Sequence, residues 1–297
     1  MRAFDKTTKY VDEATQGRLR IAMLWKTLKV PEIEALPAPV FVRAQDILPG
    51  YRFPAHAHPW HQLIYAISGS LVVEAASQRV VCGPEQAVWI PTGTAHEVAS
   101  RYGAQFRSLY LRASPRLRMP PRHALLQVSP LLRELIREAA WLSEQDAAGV
   151  GVLAYTQRVH RLILDQLPRL EHVQASLPWP QTAMLRKLCE AIDRAPADAE
   201  DIAAWGARLG ASERTLTRRF QSELGMNFRE WKRRLRLFKS MELLGAGMSV
   251  TATALELGYG SPSAFSFMFT REMGYSPKAY RAAPARVRQR SARSRAS

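Results

Sequence analysis

The C-terminal third of this 297-residue chain contains a degenerate internal repeat, which restricts its fold more than any other feature. The first copy places Gly225 five residues after Phe220, and Trp231 six residues after that glycine. The second copy keeps both spacings, at Phe269, Gly274 and Tyr280. A helical stretch precedes each copy, "AEDIAAWGARLG" in one and "SVTATALELG" in the other. The repeat therefore predicts two similar helical units.

Each unit has the local signals of a helix-turn-helix. Gly210 and Gly258 stand where a helix ends and the chain changes direction, a position that favours the positive φ that glycine adopts without steric cost. Ser212 and Ser249 precede predicted helices and are suited to cap them, because a serine oxygen accepts a hydrogen bond from an unsatisfied helical N–H group. The segment "NFREWKRRLRLFKSMELL" (227–244) predicts one continuous helix that joins the two units.

Helical periodicity separates inward from outward side chains in the second helix of each unit. Leu216 and Phe220 point inward in the first unit, and Phe265 and Phe269 do so in the second. The outward faces carry Glu213, Arg214, Thr217 and Arg218 in the first unit and Ser263, Ser266 and Phe267 in the second. The joining helix adds four cations that we interpret as phosphate contacts or solvated surface: Lys232, Arg233, Arg234 and Arg236.

The segments "LGASERTLTRRFQSELGMNFREWKRRLRL" and "ALELGYGSPSAFSFMFTREMGYSPKAYR" resemble the DNA-binding domain of AraC/XylS-type bacterial transcription regulators. The resemblance covers residues 181–284 and implies helix-turn-helix units at 201–222 and 249–272, whose second helices enter successive major grooves on one face of DNA. By position, it implies base contacts from Arg214, Thr217, Arg218, Ser263, Ser266 and Phe267. Arginine is the commonest partner of guanine, whereas the second set suits thymine methyl groups or phosphates. The implied partners are promoter DNA and, for an activator, RNA polymerase.

The charge distribution agrees with a polyanionic partner. The net charge is +16, and residues 181–297 hold 21 Lys and Arg against 11 Asp and Glu. This excess favours nucleic acid over a membrane, since the sequence has no basic amphipathic anchor and no run of 18 apolar residues. The N-terminus lacks the apolar segment of a secretory signal, and neither Cys82 nor Cys189 belongs to a C-x-x-C motif. We therefore expect a cytoplasmic protein.

The N-terminal part changes from strand to helix patterns along the chain. Residues 40–112 contain short apolar runs such as "QLIYAISG" and "QAVWIP", punctuated by Gly and Pro, which predict a sandwich or small barrel. Residues 129–167 have helical periodicity. The proline-bearing stretch 167–180 is typical of a linker, and the Arg-rich tail 285–297 is typical of disorder. Residues 1–35 are undecided, because "LRIAMLWKTLKV" is compatible with a short helix.

The stretch "HAHPWHQ" (56–62) holds three of the chain's seven histidines. The spacing from Gly50 to Gly69, together with the later "PTGTAH", resembles the two cupin motifs G-x5-H-x-H-x3-E-x6-G and P-x-G-x2-H. Gln62 replaces the glutamate of that pattern. Residues two apart on a strand face the same side, so His56 and His58 point into the barrel and His61 points away. The cupin pattern implies that Gln62 and His96 complete the inward set.

Three interpretations of these side chains stay open. A small organic effector bound by His56, His58, Trp60, Gln62 and His96 is favoured, because a barrel mouth with convergent polar groups is the usual small-ligand site. A divalent transition metal held by His56, His58, Gln62 and His96 is the second hypothesis, since imidazole suits Zn, Fe, Ni and Cu. A neutral glutamine is a poorer metal ligand than a carboxylate. The third is no ligand, with the histidines packed against Trp60 and Trp89.

The sequence therefore predicts an α+β protein of two domains that acts as a sequence-specific transcription factor and not as an enzyme. An uncertain extension (1–35) precedes a cupin-like effector-sensing barrel (36–115), connecting or dimerisation helices (120–170) and a tandem helix-turn-helix domain (181–284). The alternative is a metal-binding cupin enzyme with a helical interaction domain, which Gln62 disfavours.

The expected mechanism links the barrel to DNA through the connecting helices. Effector binding shifts the barrel and these helices, and this changes how a homodimer presents its DNA-binding domains. The candidate dimer or interdomain surface consists of Leu131, Leu135, Val152 and Leu162, with core packing against the barrel as the alternative.

Overall fold

The computed structural model describes residues 25–114, 117–144, 150–173 and 176–282. The expectations for residues 1–24 and for the basic tail 285–297 lie outside these ranges. The described chain has two sheets followed by a helical region, which confirms the predicted α+β class. Among its described helices, none combines the length and the apolar content needed to cross a bilayer.

The described strands, numbered along the chain, form two six-stranded sheets. The first sheet contains, in spatial order, Lys26–Thr27 (β1), Tyr51–His56 (β3), His96–Ser100 (β8), Leu71–Ala75 (β5), Gln78–Cys82 (β6) and Leu177–Pro178 (β12). The second contains Glu171–His172 (β11), Ala124–Gln127 (β10), Gln86–Ile90 (β7), His61–Gly69 (β4), Ala104–Leu111 (β9) and Val40–Ile47 (β2). Neighbouring strands are antiparallel except β1 and β3, which are parallel.

The space between the sheets holds one apolar cluster, because alternate side chains of each strand point inward. Its large members from both sheets are Phe53, Ile64, Leu71, Val73, Val88, Ile90, Val98 and Phe106. The opposite face of β4 is buried as well, since Leu63 and Tyr65 belong to a second cluster under two helices. Burial on both faces explains why β4 is a continuous apolar run rather than an alternating one.

The two helices are Pro130–Glu144 (α1) and Val150–Gln166 (α2), and they cover the outer face of the second sheet. Leu132 and Ile136 of α1 are fully buried there. The candidate dimer surface is divided between two environments. Leu135 and Val152 pack against the sheet cluster, whereas Leu131 and Leu162 are exposed, as are Trp141, Leu153 and Tyr155.

The expectation that residues 167–180 form a linker is wrong. The stretch starts with a 3-10 helix at Leu167–Arg169, after which β11 pairs with β10 and β12 pairs with β6. The connection therefore adds a strand to each sheet. Of the stretch "LRIAMLWKTLKV", whose fold the sequence leaves undecided, the structure describes residues 25–30, where Lys26–Thr27 form β1 paired with β3. Two-residue strands have no periodicity of their own, so the sequence pattern does not reveal them.

The helical region contains seven described helices: Ala183–Arg194 (α3), Ile202–Leu209 (α4), Glu213–Leu224 (α5), Phe228–Gly245 (α6), Val250–Glu256 (α7), Pro262–Met273 (α8) and Pro277–Ala282 (α9). The pairs α4–α5 and α7–α8 are the two repeat units, and α6 joins them. Ser212 and Ser249 accept hydrogen bonds from the Thr215 and Ala252 N–H groups, so both predicted caps are confirmed. The predicted left-handed glycines are confirmed too, with φ of 66° at Gly210 and 74° at Gly258.

Candidate ligand site and nucleic-acid interface

Three histidines meet at one end of the sandwich. His56 ends β3 and His96 begins β8, and the two are cross-strand partners. His58 follows in the loop after β3. One ring nitrogen of each histidine lies within 4.8 Å of the other two. Gln62 reaches the same point from β4 in the opposite sheet, so the structure brings together all four side chains that the sequence assigns to one inward set.

Backbone carbonyls orient each imidazole. The Nδ1 atoms lie 2.8 Å from Pro54 O for His56, 2.8 Å from Trp60 O for His58 and 2.9 Å from Thr94 O for His96. A carbonyl oxygen only accepts, so each Nδ1 carries the proton and donates it. In the neutral ring the Nε2 lone pair then points to the centre. Fixing the tautomer in this way is the usual preparation of a histidine for metal ligation.

Gln62 is the hub of the centre. Its Oε1 lies 2.9 Å from His58 Nε2 and 3.0 Å from His96 Nε2, while its Nε2 donates to Ser108 Oγ at 2.9 Å. An amide oxygen facing two imidazole lone pairs is unfavourable unless a cation lies between them. The rotated amide resolves the conflict without a cation, since its nitrogen donates to both imidazoles and its oxygen accepts from the Ser108 hydroxyl.

Burial favours the neutral form of two of the three imidazoles, those of His56 and His96. Burial lowers the pKa of His96 to about 4, an effect that the hydrogen bond to Thr94 opposes and the neighbouring histidines increase. Burial also lowers the pKa of His56, with a raising effect from Pro54 and a lowering one from His58. Neutral imidazoles with inward lone pairs are competent to ligate a metal or to accept hydrogen bonds from an organic ligand.

An aromatic wall closes one side of the centre. The Trp60 ring stacks on His58 with centroids 5.4 Å apart, and Tyr110 meets His58 edge-on at 5.8 Å. Both aromatic residues are buried, and the Trp60 Nε1 donor has no hydrogen-bond partner among the described residues. Tyr110 and Ser108 are absent from the sequence-based assignment. They reach the centre only because β9 pairs with β4, and nothing in the motif reveals that pairing.

His61 lies outside the centre, as predicted, but it begins β4 in the second sheet and does not continue the strand of His56. Its Nδ1 accepts the Thr92 N–H at 3.0 Å, and its ring lies against Trp89 with centroids 4.9 Å apart. Burial is the main reason that the pKa of His61 is lowered. Of the three histidines in this stretch, two therefore belong to the centre, and the third packs against Trp89 outside it.

The second helix of each repeat unit presents the predicted base-contacting side chains to solvent. On α5, Arg214, Thr217 and Arg218 are exposed, while Leu216 and Phe220 on the opposite face are fully buried. On α8, Ser263 and Phe267 are exposed and Ser266 is partly buried. Phe267 is 70 % exposed, so most of its side-chain surface is free to meet another molecule.

The interpretation of the α6 cations is wrong for Lys232, which is buried and donates from Nζ to Glu200 O at 3.0 Å. Arg236 likewise donates from Nε to Pro196 O at 2.8 Å. Both side chains hold the segment between α3 and α4 against α6. Arg233 pairs with Glu272, and Arg234 pairs with Glu230 at 2.8 Å on the same helix. The four cations therefore all have partners within the described chain.

Comparison with known proteins gives matches over both domains. Residues 38–209 match the AraC-like ligand binding domain, and residues 205–283 match a helix-turn-helix domain. The HTH-type transcriptional regulator NimR of Escherichia coli (strain K12) is 31% identical over 227 residues, which cover 76% of this chain and 81% of that relative. The HTH-type transcriptional activator RhaS of Escherichia fergusonii is 24% identical over 270 residues, covering 85% and 96%. Fatty-acid-bound ToxT from Vibrio cholerae aligns with a TM-score of 0.34 and 14% identity, covering 84% of this chain and 96% of that one.

Proposed function

Because the chain belongs to the AraC family of transcription regulators, with an N-terminal ligand-binding domain and a C-terminal DNA-binding helix-turn-helix domain, we propose that the histidine centre is its sensory site. The observation that carries this proposal is the meeting of three imidazoles, with each ring fixed by a backbone carbonyl and with the Nε2 atoms of His58 and His96 directed at the Gln62 amide. A centre prepared in this way, in the ligand-binding domain, is suited to detect an occupant and not merely to fill the core. The relatives of this chain are transcription regulators, which favours a regulatory function over that of a cupin enzyme.

The donor set fits a divalent transition metal, which we propose as an occupant. His56, His58 and His96 offer neutral nitrogen ligands and Gln62 offers an amide oxygen, a combination that suits Zn²⁺, Ni²⁺ or Cu²⁺ better than Mg²⁺ or Ca²⁺. The metal would supply positive charge that orders the Gln62 oxygen and both imidazoles around it. A small organic effector, the occupant that the sequence pattern favours, is the other candidate, and the Trp60 Nε1 donor and the Tyr110 ring supply polar and aromatic contacts for it.

The DNA-binding proposal assigns different tasks to the two recognition helices. Arg214 and Arg218 on α5 lie one helical turn apart, so both guanidinium groups reach the same groove and suit guanine O6 and N7. Thr217 contributes a methyl and a hydroxyl between them. On α8, Ser263 and Ser266 suit phosphates, and the exposed Phe267 ring suits a thymine methyl group.

We also propose that the regulator works as a cytoplasmic homodimer and, where it activates, contacts RNA polymerase. Five of the large exposed apolar side chains lie on the two connecting helices: Leu131, Trp141, Leu153, Tyr155 and Leu162. Apolar side chains gathered on one helix pair favour association, whereas scattered ones are ordinary surface. A second copy of the same helix pair offers a matching apolar surface in a two-fold arrangement.

The experiment uses the purified full chain and an operator selected in vitro from random duplexes. Metal content is measured first, and DNA binding is then followed by fluorescence anisotropy with and without Zn²⁺ over a salt series. We expect stoichiometric metal, a Zn²⁺-dependent change in operator affinity, and loss of both in His58→Ala but not in the control His172→Ala. His172 is an exposed histidine on β11. Operator binding that is identical in His58→Ala, with no metal in either sample, contradicts a metal sensor. No preference for the operator over random DNA contradicts the regulator itself.

A further inference from the structure

The outer face of the first sheet is covered by the DNA-binding domain. Val72, Val81 and Ala99 of the barrel lie in one apolar cluster with Leu185 and Leu188 of α3 and with the buried face of α6. The two domains therefore share a core across the surface where they meet. An interface of this kind is atypical of domains that reorient freely, which usually meet through smaller and more polar surfaces.

Six charged side chains form a network inside this interface. The barrel contributes Glu74, Arg79 and Arg101, and the DNA-binding domain contributes Asp193, Lys239 and Glu242. Asp193 on α3 is the centre of the network. Its carboxylate lies 3.2 Å from the Arg79 guanidinium, 2.8 Å from that of Arg101 and 2.7 Å from Lys239 Nζ.

The remaining contacts close the network. Glu242 lies 3.4 Å from Lys239 Nζ and 3.7 Å from Arg101 Nε, and Glu74 pairs with Arg79. Three cations thus face three anions, so the cluster is neutral as a whole. Arg79, Arg101 and Asp193 are each about nine-tenths buried at the side chain, and Lys239 and Glu242 more deeply. Removing one member leaves a buried charge without its partner, which is far more destabilising than losing a surface ion pair.

Electrostatics and ring stacking also hold the barrel and the DNA-binding domain together at this network. Burial alone raises the pKa of Asp193, but Lys239, Arg79 and Arg101 together outweigh that effect and hold the pKa below its usual range. The Arg79 guanidinium also stacks on the Trp179 ring, with its central carbon 3.2 Å from the ring centroid. Trp179 in turn packs on Trp231 of α6. Arg79 therefore connects the barrel to α3 by charge and to α6 through an aromatic pair.

We propose that this six-residue network is a latch that holds α3 and α6 on the β5–β6–β8 face, so that barrel and DNA-binding domain move as one body until the latch opens. The position of the latch suits control by the histidine centre, a role that rests on the proposed function above. Strand β8 begins with His96, and Arg101 directly follows its last residue. One strand therefore links the sensory site to the central carboxylate, and α6 links that carboxylate to both helix-turn-helix units.

Native-state hydrogen exchange on the full chain tests the latch without any ligand. We compare wild type, Asp193→Asn and the control Arg137→Gln, which breaks an exposed ion pair with Glu134 on α1. Exchange of the slowest amides of α3 and α6 is expected to accelerate by more than about tenfold in Asp193→Asn, with the amides of β4 and β7 unchanged. The control is expected to match wild type at every amide.

Two results overturn the latch. The first is wild-type protection of α3 and α6 in Asp193→Asn. The second is an equal loss of protection in α3, α6, β4 and β7, which indicates that the whole chain is destabilised and that the domains do not separate. If Asp193→Asn does not fold, the charge-balanced variant Arg101→Met/Glu242→Gln replaces it, with the same expectations. This readout does not involve the histidines, so an inactive histidine centre leaves the test of the latch intact.

Discussion

His56 and His96 are direct partners across β3 and β8, with ring centroids 4.4 Å apart, and the Gln62 amide reaches His96 Nε2 from the opposite sheet at 3.0 Å. The centre therefore spans the two sheets of the barrel, and an occupant held by all of these side chains ties the sheets together. Gln62 is the member whose chemistry is most easily altered, because its amide is nearly the size and shape of a carboxylate.

Gln62→Glu is expected to tighten Zn²⁺ binding by roughly tenfold or more, since an anionic oxygen is a stronger ligand than an amide oxygen. The same variant without metal is expected to melt at a lower temperature than wild type, because a buried carboxylate is then uncompensated. Calorimetric titration with Zn²⁺ measures the first effect and thermal unfolding the second. Gln105→Glu, at an exposed position of β9, is the control and should change neither. Equal Zn²⁺ affinity in Gln62→Glu and wild type argues against a metal at Gln62.

Much of this centre can be predicted from sequence because its signals are local. The cupin-like motif groups His56, His58 and His96, although His58 lies in the loop after β3 and its direction is not set by strand alternation. The caps at Ser212 and Ser249 depend on a few neighbouring residues and are likewise confirmed. Such features need no knowledge of which strands or domains meet.

Features that depend on pairing between distant segments are not visible in the sequence. Ser108 bonds Gln62 across 46 residues because of the β4–β9 register. Arg101 meets Asp193 across 92 residues because the two domains share a face. An isolated arginine or aspartate on a strand or helix looks like ordinary surface until its partner is known. The two-residue strand β12 is missed for the same reason, since only its pairing with β6 defines it.

Arg218→Ala is expected to weaken binding to the selected operator by about 1–3 kcal/mol, the usual contribution of an arginine that pairs with guanine. Binding to random duplexes should weaken much less, because only one exposed charge is lost. Anisotropy titrations with both duplexes at one salt concentration measure the difference. The control Arg137→Ala removes the same side chain from the exposed surface of α1. Equal losses on operator and random DNA would show that Arg218 contacts the backbone and does not read a base.

If the proposed homodimer forms through the connecting helices, Trp141→Glu is expected to convert it to a monomer, because a charge there disrupts an apolar contact between two copies. Light scattering over a range of protein concentrations measures the mass directly. Leu255→Glu provides the matched control, since Leu255 is exposed on α7 and lies outside the connecting helices. A wild-type chain that is monomeric at every concentration, or a Trp141→Glu chain that stays dimeric, contradicts the proposed surface.

Two glycines of the repeat differ in their surroundings and should respond differently to alanine. Both have positive φ, so either substitution is expected to lower the free energy of unfolding by about 1–2 kcal/mol through backbone strain. At Gly210 an added Cβ meets nothing within 4 Å, whereas at Gly258 it lies 2.9 Å from the Cα of Ala197. Gly258→Ala should therefore lose about 1–3 kcal/mol more, as overpacked sites do. Urea unfolding of both variants measures the difference, and equal losses would mean that the chain around Ala197 yields without penalty.

The latch also predicts how stability responds to acid. The pKa of Asp193 is lower in the folded chain than in the unfolded one, since Arg79, Arg101 and Lys239 outweigh the effect of burial. Below about pH 5 the unfolded state therefore takes up the Asp193 proton first, and the free energy of unfolding falls as pH decreases. The contribution is fully present above the unfolded pKa of about 4 and disappears as pH falls through the folded pKa.

Asp193→Asn removes this titration but keeps a side chain of the same size. Its free energy of unfolding should be lower than that of wild type at pH 7 and should fall less steeply between pH 5 and the acid limit of folding. Glu74 and Glu242, which face the same cations, remain in both proteins, so the comparison isolates one carboxylate. Denaturant unfolding at a series of pH values measures both slopes, and Asp165→Asn at an exposed position of α2 is the control with the wild-type slope. Identical slopes in wild type and Asp193→Asn would mean that Asp193 is not stabilised as a carboxylate by the three cations around it.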